Sequence, residues 1–214
     1  MDILNKVKSY REEENKLKWE GTFSDYLAIV KERPEVAQTA HSRVYNMIKS
    51  AGVTEEDGQK RYQFFGNEIF GLETALERLV EEYFHPAAKR LDVRKRILLL
   101  MGPVSGGKST LVTLLKRGFE KYSRTDEGAV YAIKGCPMHE DPLHLIPQEL
   151  RKDFFEEYGI HIEGSLSPLN AMRLEKEYGG RIEDVRVERI FFSEDKRVGI
   201  GTYTPSDPKS QDIA

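Results

Sequence analysis

The chain has 214 residues, of which 39% are hydrophobic and 32% are charged, and its formal net charge is −3 at pH 7. This composition predicts one globular domain, or one domain with an appendage, and it lacks the basic footprint of a nucleic-acid-binding protein. The single cysteine, Cys136, excludes an internal disulfide and fits a reducing cytoplasm, and no apolar run approaches the roughly 20 residues of a membrane helix.

Residues 1–60 are predicted to form a helical N-terminal appendage. Thr22 or Ser24 can cap a helix that starts at Phe23. Pro34 suits the first turn of the next helix, which is expected to stop at Gly52. The polar residues 53–62 then predict a linker into a main domain that covers residues 61–214.

Residues 102–109 form an unbroken phosphate-binding motif, G-x-x-x-x-G-K-S. The apolar run 96–101 before it predicts a buried parallel strand, and residues 110–117 after it have apolar positions at helical spacing. Strand, glycine loop and helix is the context in which this motif binds a nucleoside triphosphate with Mg²⁺.

Each residue type in the loop has an expected chemical role. The glycines let the backbone approach the phosphates, and the N–H groups of the loop and of the first helical turn surround the anion. Lys108 is the expected catalytic residue because it can reach the β- and γ-phosphate oxygens, and the hydroxyl of Ser109 is the expected Mg²⁺ ligand. The predicted nucleotide contacts in the loop are Gly102, Pro103, Val104, Ser105, Gly106, Gly107, Lys108, Ser109 and Thr110.

The remaining chain alternates between predicted strands and helices. Residues 64–72 lead into a helix that is expected to end near His85 and Pro86. Further predicted elements are a strand at 129–133, a long loop at 135–147, helices at 147–158 and 167–178, and a last strand at 185–193. This order predicts an α/β fold of the P-loop NTPase type, with a parallel sheet flanked by helices.

Three stretches of the sequence resemble the N-terminal part of the bacterial PrkA-type proteins, which are described as serine protein kinases with an AAA+ ATPase module. The stretches are residues 65–72, residues 100–110 and residues 198–212, and the last is the most distinctive of them. The resemblance covers the whole chain. Because members of that family are much longer, it implies that the AAA+-type domain is truncated at its C-terminal end.

The resemblance also implies a function and a second group of site residues. It implies ATP and Mg²⁺ as cofactors, a protein substrate, an AAA+-type ring of identical subunits in the full-length form, and a role in stress or sporulation signalling. In AAA+ proteins the segment that matches Ile69, Phe70 and Gly71 lies against the adenine, so these residues are expected to make backbone and packing contacts with the base. An ordinary buried turn is the alternative for this segment.

ATP hydrolysis requires a second acidic motif, and no good copy of it follows Lys108. In residues 190–195, the nearest match, Ser193 displaces the acids and Glu194 and Asp195 stand in inverted order, so a strand end or turn is the alternative. We therefore expect the chain alone to bind ATP but to hydrolyse it poorly, with the acidic motif beyond residue 214.

Protein-kinase motifs are also missing from the sequence. Residues 130–134 mimic the Val-Ala-Ile-Lys strand of protein kinases, but the sequence contains no kinase-type glycine loop, His-Arg-Asp or Asp-Phe-Gly, so Lys134 is expected to be an exposed strand end. The kinase description therefore depends on the resemblance. An AAA+ ATPase that remodels proteins or drives ATP-dependent proteolysis stays open, as does a module in which ATP only controls assembly.

Two further groups have alternative interpretations. One loop holds Cys136, His139, Asp141 and His144, whose types and spacing could suit zinc, although loops of this composition are common without metal. Arginines 181, 186 and 189 could face a partner's γ-phosphate in a ring, or they could belong to a solvated strand and loop.

Overall fold

The computed structural model describes residues 3–56, 58–66, 68–91, 97–103 and 106–203. A π-helical turn, Leu79–Phe84, directly joins the helices Glu73–Arg78 and His85–Ala88. The α-helices within the described ranges are α1 (Ile3–Leu17), α2 (Phe23–Glu32), α3 (Ala40–Ser50), α4 (Glu73–Arg78), α5 (His85–Ala88), α6 (Lys108–Tyr122), α7 (Arg151–Tyr158) and α8 (Pro168–Tyr178). The strands there are β1 (Glu20–Thr22), β2 (Val53–Glu56), β3 (Gln59–Tyr62), β4 (Val130–Ile133) and β5 (Arg186–Ile190).

The main sheet is antiparallel and has the strand order β1-β5-β4. Val187, at its centre, pairs with Gly21 on one side and with Ile133 on the other. The predicted strands at 129–133 and 185–193 are confirmed as β4 and β5. The predicted parallel sheet is not among the described pairings, and residues 97–101 of its expected strand belong to no described strand.

Two predictions for the N-terminal region are wrong. Residues 53–62 form the β2–β3 hairpin instead of a linker, and a two-residue loop separates the paired Glu56 and Gln59. The helix predicted from Pro34 to Gly52 is two segments, a 3₁₀ turn at Pro34–Ala37 followed by α3, because the side chain of Thr39 caps a new helix start by accepting from the Ser42 N–H. The predicted cap at Thr22 is confirmed as a full capping box with Asp25.

Prolines alter helix boundaries at two other places. The helix expected to end near His85 and Pro86 instead continues through the π-helical turn to Ala88. The wider turn accommodates Pro86, which lacks an N–H, at the start of α5. After Pro147 the chain forms a short 3₁₀ turn before α7 begins, whereas α8 agrees with its prediction.

The buried side chains form two separate cores. The sheet core packs β4 and β5 against α2 and the segments that follow β4, and it includes Phe23, Tyr26, Ile133, Leu143 and Val187. The loop core, named for the phosphate loop at its edge, packs α3, α6 and the helix at 73–88; it includes Ile48, Phe65, Ile69, Val80 and Leu111.

Arg43 of α3 joins the two cores. Its buried guanidinium donates to the carbonyl oxygens of Gly128 and Ala129 at 2.9 and 3.0 Å and to that of Val36 at 3.1 Å. These contacts and the β1–β5 pairing cross the predicted domain boundary near residue 60, which itself stays a prediction. Within the described ranges, no helix is both long and apolar enough to cross a membrane.

Candidate nucleotide-binding site

The phosphate-loop motif leads directly into α6. Gly107, the residue before the helix, has φ +76°, a left-handed conformation that glycine adopts without steric cost. Among the described residues no side chain caps the start of α6, so the first N–H groups of the helix are available to an anion. The helix predicted after the loop is confirmed, and it is longer than expected. An uncapped helix start after a glycine loop is the backbone arrangement that binds phosphate.

Lys108 lies back across the loop. Its ammonium group donates to the carbonyl oxygens of Gly102 at 2.8 Å and of Pro103 at 2.5 Å. The N–H of Gly106 donates to the same Pro103 oxygen at 3.2 Å, and a Cβ on Gly106 would lie only 3.0 Å from it. The loop therefore closes around the lysine charge, and glycine at 106 permits that close approach.

The other predicted loop contacts divide into two groups. Ser109 and Thr110 are exposed at the start of α6, where their hydroxyls and N–H groups can meet a ligand. Val104 and Ser105 lie outside the described residues. Exposed hydroxyl oxygen is a suitable donor for a hard cation such as Mg²⁺, which keeps several of its waters when it binds with a triphosphate.

The segment predicted to contact adenine adjoins this loop. The side chain of Leu72 lies 3.6 Å from the position that a Cβ on Gly107 would occupy. Ile69 is buried in the same core as Leu111 of α6, whereas Phe70 is 76% exposed. Gly71 has φ +72°, and its N–H donates to the Glu73 carboxylate at 3.2 Å. The structure thus places Leu72, which follows the predicted adenine segment, next to the phosphate loop, and the contacts of residues 69–71 with a base stay a prediction.

A cavity of about 280 Å³ lies beside residues 69 and 70. This volume is near the lower end of the roughly 300–1,000 Å³ that is usual for ligand pockets. Its lining combines apolar and charged side chains, among them Lys60, Arg61, Tyr62, Phe65, Ile69, Phe70 and Glu73.

The β2–β3 hairpin, which was not predicted from the sequence, supplies part of the lining of this cavity. Lys60 of β3 pairs with Glu81 of the π-helical turn at 2.8 Å, and the Tyr62 hydroxyl donates to the same carboxylate. Burial and the hydrogen bond to Glu81 raise the pKa of Tyr62. The signal that could have predicted the hairpin is Asp57-Gly58, a dipeptide typical of two-residue hairpin loops.

The possible acidic motif at 190–195 is part of a turn. Ser193 and Val198 exchange two backbone hydrogen bonds around that turn. Glu194 accepts from Lys116 of α6 and from the hydroxyl of Thr202, each at 2.5 Å, and these contacts lower the pKa of its carboxyl. Glu194 therefore fastens the segment after β5 to the middle of α6, in line with the strand-end alternative.

The zinc alternative at 136–144 is wrong for the described residues, among which no group of three metal-binding side chains forms. Cys136 is buried and accepts from Asn170, while Asp141 caps a 3₁₀ turn by accepting from the Leu143 N–H. His144 contacts Glu140 and the Glu163 carbonyl instead of its neighbours in the motif.

The remaining basic candidates have partners within the chain. Lys134, at the end of β4, pairs with Glu20 of β1 at 2.6 Å, as expected for a strand end. Arg186 pairs with the same Glu20, and Arg181 pairs with Asp184. Arg189 is buried against the carbonyl oxygen of Thr125, so the solvated alternative is wrong for this residue.

A glycine loop that closes around a lysine and leads into an uncapped helix start defines a phosphate-loop nucleotide-binding domain. Comparison with known proteins agrees with this class: the family model described as "PrkA AAA domain" matches residues 21–214. The chain therefore belongs to the PrkA AAA domain family. Membership in this family implies nucleotide binding.

Two relatives show how far the similarity extends. The chain is 79% identical over its whole length to the "ATP-dependent protease PrkA" of Bacillus subtilis strain 168, of which it covers 34%. It is 35% identical over 72% of its length to the "Serine/threonine kinase YeaG" of Escherichia coli K12, of which it covers 24%. The chain thus spans about a third of the first protein and about a quarter of the second. No solved structure matches the chain.

Proposed function

We propose that this chain binds Mg²⁺–ATP at residues 102–110 and serves as the ATP module of a PrkA-type serine protein kinase that acts in stress or sporulation signalling. The observation that carries the ATP site is the position of the Leu72 side chain, 3.6 Å from where a Cβ on Gly107 would lie. Leu72 directly follows the segment that faces adenine in AAA+ proteins, so that segment adjoins the phosphate loop. Family membership supports the same conclusion.

In this proposal the Lys108 ammonium leaves the carbonyl oxygens of Gly102 and Pro103 for the β- and γ-phosphate oxygens. The Ser109 hydroxyl is the proposed Mg²⁺ ligand, and the bound Mg²⁺ would neutralise phosphate charge. Residues 102–107 and Thr110 supply the remaining contacts around the phosphates. Ile69, Phe70 and Gly71 pack against the base, in or beside the cavity of about 280 Å³.

A second candidate function is an AAA+ ATPase that remodels proteins or drives proteolysis. It is favoured by the printed name of the B. subtilis relative, which is far more similar to this chain than the relative named as a kinase. In either case we propose that the chain alone hydrolyses ATP slowly, because Lys116 and Thr202 already engage Glu194, the acid nearest to the expected motif.

We also infer that residues 97–101 become a strand of a larger parallel sheet in an AAA+-type fold. The side chains of Ile97, Leu99 and Met101 are 87%, 76% and 83% exposed, which is unusual for three apolar residues so close in sequence. Leu98 and two residues of β4, Val130 and Tyr131, line the same cavity of about 650 Å³. Neighbouring strands would fill this space and cover the exposed row, as in parallel sheets buried on both faces.

The proposed partners follow from the same family. They are a protein substrate and identical subunits in an AAA+-type ring, in a cytoplasmic protein. The net charge of −3 favours neither nucleic acid nor an acidic membrane surface as a partner.

Calorimetric titration of the chain with Mg²⁺–ATP tests the site. We expect Lys108→Ala to weaken binding at least about tenfold, because it removes charge-assisted hydrogen bonds to the phosphates. Lys121→Ala, which removes a lysine from the last turn of the same helix, should leave the affinity unchanged. Ser109→Ala should weaken binding with Mg²⁺ more than without it. Equal affinity in the original chain and Lys108→Ala would refute the loop as the site.

The choice between kinase and ATPase requires the full-length protein with γ-labelled ATP and a candidate protein substrate, beside its Lys108→Ala variant. Label on a serine of an intact substrate, absent with the variant, would support the kinase proposal. Free phosphate with a shortened or unfolded substrate and no labelled protein would support the second candidate instead.

A further inference from the structure

His144 lies between two hydrogen-bond acceptors. Its Nδ1 is 3.0 Å from a carboxylate oxygen of Glu140, and its Nε2 is 2.7 Å from the backbone carbonyl oxygen of Glu163. A neutral imidazole carries one N–H, whereas an imidazolium carries two. Both contacts are therefore hydrogen bonds only when the ring is protonated on both nitrogens.

The backbone at Gly164 is pressed against the same ring. A Cβ at this position would lie 3.0 Å from His144 Nε2, and Gly164 has φ +89°. Two arginines hold the segment in place: Arg151 donates to the Gly164 carbonyl oxygen at 2.6 Å, and Arg90 pairs with the Glu163 carboxylate. The α7–α8 loop consists of residues 159–166. The basic side chains that contact its residues Glu163 and Gly164 are His144, Arg151 and Arg90.

The other contact of His144, with Glu140, connects the ring to the start of α8. The Glu140 side chain is 8% exposed and accepts from the N–H and hydroxyl of Ser167, the cap of α8, at 2.8 and 2.6 Å, and from the Asn170 amide. Burial alone would raise the pKa of Glu140, but the hydrogen bonds from Ser167, Asn170 and His144 lower it overall. Glu140 therefore stays an ionised acceptor at neutral pH.

We propose that protonation of His144 latches the α7–α8 loop to Glu140 and the start of α8, and that loss of the proton releases the loop. The neutral ring keeps its N–H on Nδ1, where it faces the carboxylate of Glu140. The bare Nε2 lone pair then faces the Glu163 carbonyl oxygen at 2.7 Å and repels it. The attachment of the α7–α8 loop therefore depends on pH, and this loop is separate from the proposed nucleotide site.

Charged groups of both signs surround the ring. Asp141, at the start of the 3₁₀ turn that carries His144, interacts with the ring electrostatically, and Glu140, from the segment before the turn, contacts Nδ1. From the α7–α8 loop comes Glu163, whose carboxylate pairs with Arg90, while Arg151 comes from α7. Histidine is the side chain that proteins most often use as a proton-dependent switch near neutral pH.

Hydrogen exchange of the full chain between about pH 5.5 and pH 8 tests the latch, once intrinsic exchange rates are corrected for pH. We expect protection of the Ser167 amide, which closes the loop by donating to Glu140, to fall about fivefold as the pH rises, the loss expected for one hydrogen bond, while protection of β4 and β5 stays constant. His144→Gln should abolish this change because glutamine has no titratable proton. His161→Gln, in the same loop, should keep it.

Nitrogen NMR of the His144 ring provides a second test that needs no variant. Two ring N–H groups at about pH 5.5 and one at about pH 8, with the change tracking the loss of loop protection, would support the latch. Protection that does not depend on pH, a pH dependence that persists in His144→Gln, or a ring with an unchanged number of N–H groups would each overturn it.

Discussion

The two cores differ in how completely the described chain covers them. In the sheet core, β5 is paired on both edges, and Phe23, Tyr26 and Val187 are almost fully buried. At the edge of the loop core, the run that leads into the phosphate loop has no strand partner among the described residues, and its apolar side chains alternate between exposed and half-buried.

This difference assigns the stability of the fold mainly to the sheet core and the predicted nucleotide contacts to the edge of the loop core. The sheet core gains its stability from contacts that the described residues make with each other. The loop core leaves apolar surface at residues 97–101 and at Phe70, next to the predicted nucleotide contacts. Exposed apolar rows of this kind mark surfaces that a ligand or another part of a protein covers. We therefore expect mutations in the two regions to change the free energy of unfolding by unequal amounts.

A matched pair of truncations should give the largest contrast. Ile133→Ala, in β4, should lower the free energy of unfolding by about 3 kcal/mol because it leaves a cavity in the sheet core. Leu99→Ala should change it by less than about 0.5 kcal/mol, since this side chain is mostly exposed. Urea unfolding of both variants measures the two changes, and similar losses would contradict the contrast between the cores.

Arg43→Met tests the connection between the cores. The substitution keeps an apolar side chain of similar length but leaves the carbonyl oxygens of Val36, Gly128 and Ala129 without their donor. We expect a loss of about 2–3 kcal/mol in the same unfolding measurement. Arg78→Met, which removes an exposed arginine paired with Glu82, is the control and should cost less than about 0.5 kcal/mol. Equal small losses would mean that Arg43 does not join the cores.

Gly118→Ala probes the packing of α6 inside the loop core. An added Cβ would lie 2.7 Å from the Phe64 ring and 2.8 Å from the Met47 sulfur, so these side chains must move. The strain should exceed the gain in helix propensity and give a net loss of about 1 kcal/mol. A Cβ on Gly201 meets nothing within 4 Å, so Gly201→Ala is the matched control. A stabilised Gly118→Ala variant would show that this part of the core is loosely packed.

The smallest effect concerns the pH dependence contributed by Glu140. Its folded-state pKa is lowered overall, so its contribution to stability is present above the unfolded-state pKa of about 4.3 and is lost as the pH falls through the lower folded value. The stability difference between the original chain and Glu140→Gln should therefore shrink as the pH falls below about 4.3. Glu149→Gln, at an exposed position, should show no such change. A difference that grows in acid would reverse the sign of this prediction.

Local signals in the sequence predicted the elements that surround the proposed site. The glycine motif and the helical spacing after it predicted a loop followed by α6, and elsewhere in the chain Thr22 or Ser24 predicted a capped start for α2. The resemblance predicted contacts of residues 69–71 with the base, which stay a prediction, and the side chain of the next residue, Leu72, lies 3.6 Å from the position that a Cβ on Gly107 would occupy. In each case the information lies in residues close together in the chain.

Long-range pairing could not be predicted in the same way. β5 pairs with β1 across more than 160 residues, and nothing in the short sequence Glu20–Thr22 indicates a strand or its direction. Strands were predicted at β4 and β5, but their antiparallel register depends on the long connection between them. The separate anchoring of Cys136 and His144 likewise depends on α8 and the α7–α8 loop, which are distant from them in sequence.

The π-helical turn at Leu79–Phe84 absorbs one residue within an otherwise α-helical segment. A π turn holds about one residue more than the α-helical turn it replaces, so deleting one residue there would allow a regular helix from Glu73 to Ala88. The α-helix winds by about 100° per residue, faster than the π turn, so the lost residue and the faster winding nearly cancel. Arg90 would then keep its direction toward Glu163, whereas a deletion inside α6 would rotate every later position of that helix by about 100°. The segment from Glu73 to Ala88 should therefore tolerate a single-residue deletion better than a regular helix does.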